Sequence, residues 1–442
     1  MSHNPDRTGI GALNTDESEF LAHSLDLFSR PPIESSLLHG KTLEHNPVNA
    51  ITNSGPFEFL LPSHAYNEYT YLPLTRLEGE IRVTKEDGAA LANTDDVSVA
   101  NFFPSTLFRQ VECELNGHQI ADLSSPTYPY KVYIESILSY GKEAKLSHLQ
   151  ASVFYEDQVS KEAENTKANN TGLLARSKLI SPNKSLYFST QLHLDFFHSE
   201  RLLPPGCNLK IKLIRSSDNF SLIAPSGSYK IEIKELKLFT RRITVHDSVV
   251  NGHSTLFEKS NAIFPTPMSR IKTYVLTSGI SQITLPNIFR GKLPRQIIFG
   301  IVSSGSFNGE ITSNPFCFKD FGVNYVALKV NGNTIPSTVF QPDFEKGKYV
   351  REYRHFLDSC GIAHENASNS ISLKQFGNGK TFFVYDLSPD MCNAYHNHMH
   401  QNGYVDLELH FKAALSQTLQ VIVYGSFNNI IEINKDRQPS II

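Results

Sequence analysis

The chain has 442 residues, 40% hydrophobic and 19% charged, with 29 Phe, 18 Tyr, 4 Met and no Trp. That length exceeds one ordinary core and predicts two or three domains, and an aromatic, weakly charged composition favours strands over long helices. A formal net charge of -3 excludes the basic footprint of a nucleic-acid-binding domain, and no apolar run is long enough to predict a transmembrane helix.

The N-terminus, MSHNPDRTGIGALNTDESEF, lacks the apolar region of a secretory signal. Asp16 and Glu19 have capping-box spacing, and Phe20, Leu21, Leu25 and Phe28 share a helical face, so a short amphipathic helix is predicted over 16–28 on an N-terminal arm, residues 1–45. Pro31-Pro32 ends it. From Phe57 the pattern turns to strands: FEFLL at 57–61, a mixed aromatic and β-branched run to Val83, then the turn signal Glu86-Asp87-Gly88. Phe108–Leu115 leads into Asn116-Gly117, the pair favoured by type I′ hairpins. Tyr130, Tyr133, Ile134, Ile137 and Leu138 share one face of a helix ending near Gly141. Residues 142–180 are polar and read as a long excursion loop that protrudes or lies at an inter-subunit contact. Strands resume at Leu186, Leu209 and Tyr229, where YKIEIKELKLF reads as strict alternation with one wet face. Arg241-Arg242, the densest basic spot, reads as part of that solvated face.

After a linker at 249–268 the succession begins again. Tyr274-Val275-Leu276 stands for Phe57–Leu61, and Leu285-Pro286 for Leu72-Pro73. Asn331-Gly332 repeats Asn116-Gly117, Asn314-Pro315-Phe316 repeats Asn101 to Pro104, and YVREYRHFLDSCG at 349–361 repeats YKVYIESILSYG at 130–141. FFVYDL, VDLELHF and LQVIVYG then answer the strands that follow Leu186. A period of about 215 residues is far beyond short solenoid repeats. It predicts an all-β chain of two tandem jelly-roll β-sandwich domains with short helices in the loops: 46–248 and 269–442.

The chemical motifs are weak. Cys392, His396, His398 and His400 carry zinc-type donors, but they fall between Ser388-Pro389 and Asn402-Gly403, so an exposed His-rich loop is the plainer reading. His193 and His410 lie in separate strand runs and assemble no cupin-like set. Gly377–Thr381 resembles the end of a P-loop, yet Lys374 replaces the first glycine and a strand follows, so a hairpin turn is expected. Asp195 and Asp386 occupy corresponding places and read as turn-forming residues. The five cysteines, Cys113, Cys207, Cys317, Cys360 and Cys392, are odd in number and widely spaced, which suits a reducing compartment. Neither a catalytic set nor a cofactor site is expected.

Several ordered stretches carry a family resemblance: FEFLLP (57–62), NFFPSTLFRQVECELNG (101–117), YPYKVYIESILSYGKEAK (128–145), FRGKLPRQIIFGIV (289–302), FNGEITSNPFCF (307–318), FFVYDLSPD (382–390) and IEINKDR (431–437). The chain resembles the major capsid proteins of Polinton/Maverick elements and adintoviruses, within the double jelly-roll lineage. The resemblance implies a structural, non-enzymatic virion protein, assembled inside the host cell. It implies a pseudo-hexameric homotrimer tiling an icosahedral shell, with neighbouring capsomers, a penton protein and minor capsid proteins as partners. A jelly-roll glycan-binding module is the alternative.

Overall fold

Period-2 runs become strands, and each sheet draws its strands from one half of the chain only. The computed structural model describes residues 23–442, apart from 29, 32, 53, 64, 121–126, 364 and 392–398. The first half runs β1 (Leu37–His45), β2 (Phe57–Leu61), β3 (Glu68–Lys85), β4 (Ser98–Val99), α1 (Phe103–Thr106), β5 (Phe108–Leu115) and β6 (His118–Gln119). It continues through α2 (Tyr128–Ser139), α3 (Lys142–Lys145), α4 (Thr171–Ile180), β7 (Ser185–Gln191), β8 (Leu209–Arg215), α5 (Asp218–Ser221), β9 (Leu222–Ile223) and β10 (Tyr229–Val245). Helix α6 (Asp247–Phe257) leads to the second half: β11 (Ala262–Leu276), β12 (Gln282–Lys292), β13 (Gln296–Ser303), α7 (Ser304–Asn308), β14 (Val323–Val330) and β15 (Asn333–Phe340). There follow α8 (Val350–Ser359), α9 (Leu373–Phe376), β16 (Phe383–Asp386), β17 (Asn402–Phe411), β18 (Leu419–Ile433) and β19 (Pro439–Ile441).

The main sheets of the first half have the orders β1-β10-β3-β7 and β2-β8-β5-β6. Those of the second are β11-β18-β13-β16 and β12-β17-β14-β15, with β19 added beside β18. The two halves therefore share one strand order, and each is a jelly-roll sandwich of two antiparallel sheets, as the sequence predicts. Both Asn-Gly turns sit in equivalent hairpins. Asn116 and Gly117 have φ of 48° and 83°, Asn331 and Gly332 of 52° and 82°, the paired positive values of a type I′ turn. Each asparagine also accepts a backbone N–H from the strand beside it, Asn116 from Asn208 (2.9 Å) and Asn331 from Tyr404 (3.0 Å).

Five expectations are corrected. Tyr274–Leu276 lies in β11, the counterpart of β1 rather than of β2, and Leu285-Pro286 lies in β12, whose counterpart ends at Leu61-Pro62. Short apolar pairs recur by chance, whereas the strand partner identifies an equivalent. The alternation in β10 is not strict: a register shift between Ile233 and Glu235 moves the buried set from Ile231 and Ile233 to Leu236 and Leu238, as a β-bulge does. The stretch 249–268, read as linker, is helix followed by strand. The predicted 16–28 helix lies mostly outside the described residues; its described end is a 3-10 turn, His23–Leu25. The arm read as 1–45 contains β1, paired along its length with β10.

The fifth correction concerns 142–180, which is not a plain loop but an ordered excursion packed into the core. It carries α3 and α4, and Val153, Phe154, Leu173 and Ile180 join the larger hydrophobic core. That core starts in the first jelly roll and continues into Phe264, Ile298, Phe316, Phe318, Ile422 and Tyr424 of the second half. A separate core fills the second sandwich, and it takes Ile297, Phe299, Ile301, Val421 and Val423 from the same strands. The β11-β18-β13-β16 sheet is thus buried on both faces, which explains the near-continuous apolar runs QIIFGIV and LQVIVYG.

Candidate functional site

Among the described residues, an extended set of polar and aromatic contacts lies where the two jelly rolls meet. Helix α2 is its axis. Pro129 occupies its first turn, where the missing N–H is harmless. Tyr128, Tyr130, Val132, Tyr133, Ile134 and Ile137 are buried on several sides of it, as for an interior helix. Tyr133 stacks on Phe316 with ring centroids 4.3 Å apart, and Tyr130 stacks on Phe307 at 5.6 Å. Four aromatic rings from two halves thus interlock, a geometry worth about 0.5–1.5 kcal/mol per pair beyond area burial.

The excursion between α2 and β7 clamps the halves. Asn170 caps α4, its side chain accepting from the Gly172 and Leu173 N–H groups. Further along the same helix Arg176 is fully buried. Its guanidinium donates to Val99 O (2.8 Å), Asn101 Oδ1 (2.9 Å), Tyr155 O (2.6 Å) and Asp157 Oδ1 (2.9 Å). Asn101 Nδ2 closes the ring by donating to Asp157 Oδ2 at 3.1 Å. Asn314, the repeat of Asn101, turns to the same excursion and donates to Glu162 O at 2.9 Å. Further ties cross to the second half: Lys380 Nζ to Glu156 Oε1 (2.7 Å), Gln375 Nε2 to Glu156 Oε1 (3.0 Å) and Lys145 Nζ to Asn369 O (2.5 Å). Burial and the nearby Lys380 charge bring the Lys145 ammonium down to about 8. Glu162, whose carboxylate oxygens are buried and unbonded, is pushed up to about 7 by burial.

A charged layer binds α2 to β11 and β18. Lys131 pairs with Asp195 at 2.6 Å, and Asp195 accepts from Ser269 N (2.9 Å) and Ser269 Oγ (3.0 Å). The Tyr424 hydroxyl donates to Glu135 Oε1 at 3.0 Å. Burial would raise Glu135, but Lys131 and His193 outweigh it and hold the carboxyl well below its usual value.

Of the metal-type candidates, Cys392, His396 and His398 lie outside the described residues and His400 is exposed. Cys113, Cys207 and Cys317 are buried, and burial pushes the thiols of Cys207 and Cys317 up to about 12, so they are packing groups rather than nucleophiles. The Gly377–Thr381 segment follows α9 and precedes β16, so no phosphate cradle forms. Its Lys380 is committed to Glu156, and Gly379, at φ 96°, lies against the Glu162 carboxyl so closely that an added Cβ would stand 2.5 Å from it. Asp386 forms a local turn, accepting from Ser388 N at 2.8 Å. Asp195 instead joins the two halves. Arg242 does not belong to a solvated face: it is buried and donates to Thr70 Oγ1 and to Pro62 O.

Sequence reading misses Arg176, Asp157, Glu135 and Glu162. One signal was available: Arg176 sits among the apolar residues of GLLARSKLI, where a buried charge needs partners.

No family model matches the chain. An uncharacterized protein of Caenorhabditis elegans is 26% identical over 424 residues, spanning 92% of this chain and 98% of that protein. A chain of the Sputnik virophage structure superposes with a TM-score of 0.65 at 10% identity, covering 98% of this chain and 94% of its own. The Faustovirus major capsid protein gives 0.58 at 9% identity, covering 91% and 92%. The mavirus major capsid protein gives 0.51 at 11% identity, covering 98% and 97%. At such identities the likeness is one of fold, and it extends over nearly the whole chain: the protein has the double jelly-roll architecture of viral major capsid proteins.

Proposed function

We propose that this chain is a major capsid protein of the Polinton/Maverick and adintovirus type, forming pseudo-hexameric homotrimers that tile an icosahedral shell. The observation that carries the reading is the whole-chain likeness to viral capsid proteins, with both sandwiches included. A fused pair of like domains gives a trimer six similar units, suited to a lattice of six neighbours. Each half is taken as one domain, with α6 between them. Surface features support assembly. Leu25, Leu27, Phe28 and Ile33 on the arm are 64%, 76%, 94% and 81% exposed, and so apolar a segment fits a surface that another chain covers. The role is structural and non-enzymatic, the location is the virion, and a penton protein and minor capsid proteins complete the shell.

Native mass measurement with electron microscopy of the purified chain tests this. Trimers with a hexagonal outline are expected; a stable monomer overturns it. Removing residues 1–30 is expected to leave trimers intact and to impair shell formation, so loss of the trimer itself would remove the arm from the proposed role.

A further inference from the structure

Beside the junction, Glu135 of α2 meets two histidines from the loop after β7. His193 Nδ1 lies 2.7 Å from Glu135 Oε2. His198 closes the 3-10 turn Asp195–His198, with its ring centroid 5.8 Å from that of His193. One ligand-type atom from each of Glu135, His193 and His198 lies within 4.8 Å of the others. We propose that these three side chains form a zinc-type metal site. It uses none of the residues of the His-rich segment and is independent of the capsid reading.

The donor set is two imidazoles and one carboxylate, the borderline nitrogen-and-oxygen set that suits Zn²⁺. Metal–ligand bonds of about 2.0–2.2 Å put tetrahedral donors about 3.3–3.6 Å apart. The site reaches this if His193 and Glu135 part slightly and His198 swings inward, which an exposed side chain on a short turn can do.

The surroundings favour the metal over a bare ion pair. The Tyr424 hydroxyl holds Glu135 Oε1, leaving Oε2 aimed at His193. Such outer hydrogen bonds orient a ligating carboxylate. Lys131, the nearest competing cation, is 3.9 Å from Glu135 Oε1 but 2.6 Å from Asp195. Its charge is therefore shared with a second carboxylate. His198 faces solvent, which supplies an entry path. A bound ion would join α2 to the turn after β7 and, through Tyr424, to β18, strengthening the contact between the two jelly rolls.

The test uses full-length, tag-free protein freed of metal with a chelator. Zn²⁺ is titrated by calorimetry, and Co²⁺ is used as an optical probe of coordination. One Zn²⁺ per chain, a raised melting temperature and a tetrahedral Co²⁺ spectrum are expected. His198→Ala is expected to weaken binding by about 100-fold or more, with the fold unchanged by circular dichroism, and Glu135→Gln to abolish it. The triple variant His396→Ala, His398→Ala, His400→Ala should bind as the parent does. Absence of Zn²⁺ binding, or binding lost in the triple variant and kept in His198→Ala, overturns the proposal.

Discussion

The β1-β10-β3-β7 sheet and the β11-β18-β13-β16 sheet have the same strand order but different surroundings. The first keeps a wet outer face, where Lys234 pairs with Glu232 (2.8 Å) and Lys237 with both Glu235 (2.8 Å) and Glu44 (3.1 Å). The second has Ile298, Val302, Ile422 and Tyr424 on the corresponding face, packed under the first half's α2 and its neighbours. The repeated helices differ in the same sense. Helix α2 is buried on several sides, while α8 buries Glu352, Phe356 and Ser359 and exposes Val350, Arg351 and Arg354. Duplication thus supplies one architecture twice, and fusion asks only one copy of the outer sheet to become interior.

The largest expected effect comes from emptying the Arg176 site, which holds the excursion that clamps the halves to the first jelly roll. Arg176→Ala leaves Asp157 and Asn101 buried without their cation, and breaking a buried pair in this way costs about 3–5 kcal/mol. Urea denaturation of the full chain measures it; a loss under about 1 kcal/mol would mean that the clamp is incidental.

A paired substitution breaks or confirms the contrast between sheets. Ile422→Ala, on the covered face of β18, is expected to cost about 2–5 kcal/mol. Lys237→Ala, on the wet face of β10, should stay within about 0.5 kcal/mol of the parent. Equal costs would show that the two outer faces are energetically alike.

Glu162 provides a pH-dependent version of the comparison, because only the first half contributes this buried acid to the junction. Its folded value near 7 stands above the ordinary 4.5. Below the lower value both states are protonated and no penalty exists. As pH rises between the two values, the unfolded chain ionises first and the native state loses stability, up to about 3 kcal/mol. Glu162→Gln should therefore stabilise the protein at pH 8 and leave it unchanged at pH 4. Thermal melts at the two pH values read this directly, and a pH-independent difference would assign the effect to packing.

The smallest effect tests the sameness of the halves. Asn116→Ala and Asn331→Ala each replace a residue that tolerates positive φ by one that does not, and remove a side-chain bond to the adjacent strand. Each should cost about 1–2 kcal/mol. Unlike costs in the two variants, measured by chemical denaturation, would mean that the hairpins are not equivalent in energy.

Much of this architecture is legible in the amino-acid order. The Asn-Gly pairs locate two hairpins because the type I′ turn demands positive φ twice. The tyrosine-rich helices and period-2 strands announce the duplicated sandwich. Errors arose where local pattern has no reference to partners. Leu72-Pro73 and Leu285-Pro286 look alike yet sit in strands of different rank, and a polar stretch at 142–180 reads as solvated although Arg176, Asp157 and Glu162 are buried within it.

By itself the sequence determines the jelly-roll elements, their repetition and the turns that join them, since these depend on backbone geometry and side-chain periodicity over short spans. It even hints at the doubly covered sheet, in QIIFGIV and LQVIVYG. Tertiary structure alone decides which polar groups meet at and beside the junction. Asn101, Asp157 and Arg176, or Glu135, His193 and His198, are ordinary residues until folding brings distant stretches of the chain together, where pairing out of bulk water governs their contribution to stability.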